Sequence, residues 1–185
     1  MTEARAVFVC AHGAGGDKDD RGMVALAQAL GGAGFKVVRF NFPYRERGSK
    51  LPDPMPVLKD SIAAIANRVR GEKKLVIGGR SMGGRAASML AADGFECGGL
   101  LLLAYPLHPA GKPEKLRDAH LAQIRMPVLC FNGTQDPLCR RDLMEKALEK
   151  LSWQMYWLEG ATHSFRVKDL KEVTEVSRAW LSRLA

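Results

Sequence analysis

The stretch that most limits what this chain can become is Leu75 to Ala87, Leu-Val-Ile-Gly-Gly-Arg-Ser-Met-Gly-Gly-Arg-Ala-Ala. A short apolar run rich in β-branched residues stops at two glycines. Ser81 follows, then two more glycines, then apolar residues at helical spacing. The pattern predicts a strand, a sharp turn and a helix with Ser81 at the bend. Gly79 and Gly83 flank the serine in G-x-S-x-G spacing, which suits a turn where side chains two residues either side would strike the neighbouring strand and helix. The N-terminus of the following helix directs free N–H groups and a positive dipole end at the bend. An ordinary strand-to-helix turn could use the same five letters, so the rest of the chain has to decide.

Strands and helices alternate on both sides of this turn. Arg5 to Ala11 reads as a buried parallel strand, as do Lys36 to Phe42, Lys74 to Gly79, Gly99 to Ala104, Val128 to Asn132 and Gln154 to Leu158. Helices are expected from Asp19 or Asp20 to Ala33, Val57 to Arg70, Gly84 to Asp93, Arg141 to Leu151 and Val167 to Leu184, with a short one around Pro113 to Ile124. Pro43 to Pro56, with four prolines, reads as loop. This alternation predicts an α/β fold, a parallel sheet covered on both faces. At 185 residues, and with no linker or repeat, residues 1–185 are expected to form a single domain.

The net charge of +8 raises the question of a polyanionic partner. The basic residues are scattered, however, and no helix-turn-helix, RNP-like or zinc-finger pattern is present, so nucleic acid is not the expected partner. No apolar run could span a bilayer, and Met1 leads into a strand without a signal-peptide pattern. The four cysteines form no C-x-x-C pair and no zinc-type cluster with histidine, and read as free thiols. A cytoplasmic protein without a metal or organic cofactor is expected.

A serine at such a bend becomes a nucleophile only with a base in reach and a group that orients the base. His163, in Gly-Ala-Thr-His-Ser-Phe after the last strand, falls at the same sheet edge as Ser81. Asp136, in Asn-Gly-Thr-Gln-Asp-Pro after the fifth strand, falls there too. The order serine, acid, histidine favours His163 over His108 and His120. Asp136 is preferred to Asp142, which falls inside a predicted helix, and to Glu159, which is too near the strand end to face the histidine. The glycine-rich loop His12 to Asp17 lacks the Gly-Lys-Ser/Thr of a P-loop and the third glycine of a dinucleotide fingerprint. It could instead serve an oxyanion, with His12 bracing it. Arg80 offers a guanidinium fork for an anionic substrate group, or a structural ion pair with Glu46 or Asp53.

His12-Gly13-Ala14-Gly15, Gly79-Arg80-Ser81-Met82-Gly83, Gly133-Thr134-Gln135-Asp136 and Thr162-His163-Ser164-Phe165 occur in this order over nearly the whole chain, and in this combination the sequence resembles an α/β-hydrolase. Tyr105-Pro106-Leu107-His108-Pro109 and Gly111-Lys112-Pro113 resemble a compact branch related to dienelactone hydrolase, which includes small bacterial hydrolase-like proteins and a subunit of the eukaryotic NSL histone-acetyltransferase complex. The resemblance implies strand order 2-1-3-4-5-6, the family sheet without its first two strands. The chain departs from the family in leaving no room for a large lid domain, so an open site is expected. The resemblance implies oxyanion donors at the N–H groups of Ala14 and Met82. It implies a serine hydrolase of a small ester or thioester through Ser81, His163 and Asp136. A non-catalytic hydrolase-fold binding module is the alternative. Oligomeric state is left open.

Overall fold

The computed structural model describes residues 4–184. Six strands, β1 (Ala6–Ala11), β2 (Phe35–Arg39), β3 (Lys74–Arg80), β4 (Gly99–Leu103), β5 (Val128–Gly133) and β6 (Gln154–Leu158), form one sheet in the order β2-β1-β3-β4-β5-β6. Every pairing is parallel, with Val9 opposite both Val38 and Ile77, and Leu102 opposite Cys130. The strand order is the one the resemblance implies. Parallel strands need crossovers, and the crossovers lay helices on both faces, so the strands read as continuous apolar runs.

The helices are α1 (Arg21–Ala33), α2 (Pro43–Glu46), α3 (Met55–Val69), α4 (Met82–Ala92), α5 (Arg141–Leu148) and α6 (Val167–Leu181). On one face of the sheet, Val9, Ile77, Leu100, Leu102 and Cys130 pack under Leu58 and Ile62 of α3, Ala87 of α4 and Met144 of α5. On the other, Phe8, Val76, Leu101, Leu103 and Phe131 pack under Leu26 and Leu30 of α1 and Val173 and Trp180 of α6. Side chains alternate between the two cores because the strand period is two. Each large apolar side chain buried in this way stabilises the fold by roughly 1.5–3 kcal/mol.

Helix ends follow local chemistry. The Asp20 carboxylate accepts from the N–H of Met23 at the start of α1, and Gly34, at φ 106°, closes its end. At the start of α6 the Asp169 carboxylate accepts from the N–H of Arg166 at 2.6 Å and from its guanidinium.

Several expected boundaries move. The second strand, expected to reach Phe42, ends at Arg39, because the Phe42 N–H goes to the His12 ring instead of to a neighbouring strand. The expected loop 43–56 contains α2, opened by Pro43 whose missing N–H costs nothing at a first helical turn, and the start of α3. The expected helix at 113–124 reduces to a 3₁₀ turn, Leu121–Gln123. Its upstream N–H groups close turns on Pro109 and Lys112, or return from Arg117 to the Leu107 carbonyl. The helix after the bend starts at Met82 rather than Gly84, α5 stops at Leu148 rather than Leu151, and α6 at Leu181 rather than Leu184.

Candidate active site

β3 reaches the carboxyl edge of the sheet at Arg80, and Ser81 takes φ 52° and ψ −119° before α4 begins. A non-glycine residue here is strained, and the surroundings hold it: the Ser81 N–H donates to the Leu103 carbonyl at 2.9 Å and its own carbonyl accepts from Arg85. The flanking glycines permit the tight passage. A Cβ on Gly83 would sit 2.6 Å from the carbonyl oxygens of both Ala11 and His12, and one on Gly79 would run into the Ala11 backbone.

The turns after β5 and β6 bring two further side chains to this bend. Thr134 and Gln135 donate from their backbones to the carbonyls of Leu158 and Ala161, which locks the two turns together. His163 Nε2 lies 2.8 Å from Ser81 Oγ. Its Nδ1 lies 2.8 Å from Asp136 Oδ2 and 3.0 Å from Oδ1. A carboxylate only accepts, so Nδ1 carries the proton and Nε2 faces the hydroxyl as an acceptor. The Asp136 side chain is fully buried, whereas that of His163 is 23% exposed.

The loop after β1 is braced from beneath. The Phe42 N–H donates to His12 Nε2, so His12 Nδ1 bears the proton it donates to the Gly13 carbonyl at 2.8 Å. Burial lowers the pKa of His12 and favours this neutral ring. The Gly13 carbonyl also accepts from Gly16 at 3.2 Å. In a trans peptide the N–H points opposite to the C=O, so these two bonds fix the direction of the Ala14 N–H. Tyr44 adds a bond from its hydroxyl to the Ala14 carbonyl at 3.0 Å. Sequence reasoning missed this tyrosine, since it lies in what reads as loop. The Met82 N–H is at the first position of α4, where no intrahelical acceptor exists.

A cavity of about 630 Å³ opens beside Ser81, lined by Ala14, Arg80, His163 and the apolar side chains of Leu26, Leu103, Leu138, Phe165 and Leu170, among others. Arg80 donates through Nη2 to the His163 carbonyl at 3.2 Å and to Ser164 Oγ at 3.1 Å. It pairs with neither Glu46 nor Asp53. Asp53 instead accepts from Arg47 and from the Tyr44 N–H.

The other histidines are engaged elsewhere. His108 accepts from the Arg140 N–H and contacts the Pro109 carbonyl. His120 lies 2.8 Å from Ser88 Oγ, a second serine–histidine contact. Ser88 is wholly buried, though, its hydroxyl also reaches the Arg85 carbonyl, and no carboxylate hydrogen-bonds His120 among the described residues. All four cysteines are free, and burial pushes the thiol of Cys139 up to about 12 and those of the others above the usual range, so they are protonated at neutral pH. Among the described residues no group of His, Cys, Asp and Glu is placed to hold a metal ion, and no helix is long and apolar enough to cross a membrane.

A family model described as an alpha/beta hydrolase domain matches residues 4–182. An alpha-beta serine hydrolase homologue of Coxiella burnetii superposes with a TM-score of 0.78 at 21% identity, over 100% of this chain and 88% of its own. A serine hydrolase without a lid from Xanthomonas campestris gives 0.78 at 23% identity, over 97% and 84%. A dienelactone hydrolase of Anabaena variabilis gives 0.74 at 20% identity, over 97% and 87%. At these identities the likeness is one of fold.

Proposed function

Since this chain belongs to the α/β hydrolase family, we propose that it is a serine hydrolase that cleaves a carboxylic ester or thioester of a small molecule. The observation that carries this reading is the unbroken hydrogen-bond path from Ser81 through His163 to the buried Asp136, opening on a cavity. His163 Nε2 takes the hydroxyl proton as Ser81 Oγ attacks the carbonyl carbon. Asp136 holds the ring in the tautomer this requires and stabilises the imidazolium that forms. The N–H groups of Ala14 and Met82 receive the oxyanion, and each such donor contributes roughly 10²–10³ in rate. His163 then protonates the leaving alcohol or thiol. Water, deprotonated by the same ring, attacks the acyl-serine and releases the acid.

The cavity lining is mostly apolar, which suits a short acyl or aryl group, and Arg80 sets one guanidinium at its wall for an acidic substituent. No step calls for a cofactor. The free thiols suit a reducing, cytoplasmic setting. The test needs no knowledge of the natural substrate. A fluorophosphonate probe should label the protein, and p-nitrophenyl esters of short acids should be turned over. Ser81→Ala should abolish labelling and lower kcat by roughly 10⁴ or more. A folded wild type that stays unlabelled and inert would instead leave a binding module on a hydrolase fold.

A further inference from the structure

Resting on that reading of Asp136, we infer that Asn132 is a positioning residue for the acid. It is a wholly buried amide at the end of β5, on a strand whose other side chains are apolar. Its setting follows from the way β4 ends. The β4–β5 ladder stops at Leu103 opposite Phe131, and Ala104, at φ 51°, turns the chain out of the sheet. Beyond it the Tyr105 N–H has no backbone acceptor among the described residues, a costly state in a dry environment, while the Tyr105 carbonyl takes the Leu107 N–H at 3.1 Å. The Asn132 side chain serves both groups: Oδ1 accepts from the Tyr105 N–H at 3.0 Å, and Nδ2 donates to the Tyr105 carbonyl at 3.1 Å as its second donor.

This two-point attachment fixes the amide plane and leaves no freedom to exchange its oxygen and nitrogen. The second Nδ2 hydrogen is thereby directed at Asp136 Oδ2, 3.3 Å away. That oxygen is the one nearest His163 Nδ1, and Oδ1 is held separately by the Leu138 N–H at 2.9 Å. No lysine or arginine forms an ion pair with Asp136 among the described residues, so its buried carboxylate is held by N–H donors alone. Asn132 therefore sets the carboxylate orientation on which the His163 ring depends, through an anchor in the neighbouring strand.

The test is a double-mutant cycle read in kcat and in melting temperature. Hydrogen bonds to a charged group are worth about 10- to 100-fold. Asn132→Ala should therefore lower kcat for a p-nitrophenyl ester, and the rate of fluorophosphonate labelling, by about 10- to 100-fold with KM little changed. In an Asp136→Ala background, the same change should lower kcat by less than about 3-fold, because there is no carboxylate left to orient. The fall in melting temperature from the lost Tyr105 anchor should appear in both backgrounds. If Asn132→Ala does not fold, Asn132→Gln keeps the amide, displaces it by one methylene, and should show the same kcat loss. Wild-type kcat in the folded variant, or an equal loss in both backgrounds, overturns the inference and leaves Asn132 as a strand anchor. Wild-type kcat in Asp136→Ala itself overturns the parent reading instead.

Discussion

Arg80 shows how one side chain can serve two neighbours. Its Nη2 is occupied by the His163 carbonyl and Ser164 Oγ, no ion pair involving it is formed among the described residues, and it lines the cavity. A guanidinium with an unneutralised charge at a cavity wall favours an anionic group there, and its planar fork is not reproduced by an ammonium. Arg80→Lys should raise KM for an ester of an acid bearing a second carboxylate while leaving a matched neutral ester nearly unchanged. Arg80→Ala should do the same and also lower kcat for both esters, since the His163 segment loses a tether. Steady-state kinetics on the ester pair checks this, and equal changes in KM for both would leave Arg80 as a tether only. The sequence places Arg80 beside Ser81, but the partner it finds lies 83 residues away, in a turn whose path depends on β6 docking. Asn132 was hidden for a similar reason. A polar residue ending an apolar strand is visible in the sequence, yet its task arises only because Ala104 leaves the sheet where it does.

At the scale of elements, the strand–bend–helix unit is the part most fully legible, since its glycines answer to backbone contacts fixed by the sheet. Gly83→Ala would put a methyl 2.6 Å from two carbonyl oxygens that belong to β1 and the residue after it. Neither backbone can move without breaking the ladder, so this substitution should destabilise by roughly 3 kcal/mol or more. Gly71→Ala, where a Cβ meets nothing within 4 Å, should stay within about 0.5 kcal/mol. Urea unfolding midpoints compare the two. The segments around α2 and 113–124 were the least legible. Proline content argues for loop, but Pro43 and Pro56 sit in first helical turns, where proline is harmless. In the second segment the helical spacing is present, and turn hydrogen bonds together with the Arg117 return to Leu107 take its backbone donors first.

For the molecule as a whole, we propose that the sheet and its two covering layers unfold as one unit, with an acid limit set partly by histidine. His120 sits half-buried against Ser88 and Tyr105, near Arg85, Arg117, Asp93 and Asp118. Burial first, and then the charge of Arg85, bring its pKa down from 6.5 to about 4. Between those values the unfolded chain binds the proton and the folded chain does not, so the contribution is intact above pH 6.5 and is lost as pH falls toward 4. Burial shifts His12 in the same direction. Urea titrations should show a single transition whose midpoint falls over this window, and His120→Gln should flatten the fall. The hydrogen bond between Ser81 and His163 spans 82 residues, and β4 and β5 stand between the strands that carry them. On the proposed reading this separation sets a timetable. A chain emerging from the ribosome displays its serine long before the histidine exists, and the hydroxyl remains an ordinary alcohol until the last strand docks. Reactivity therefore doubles as a certificate of completion, which truncated or half-assembled copies cannot present.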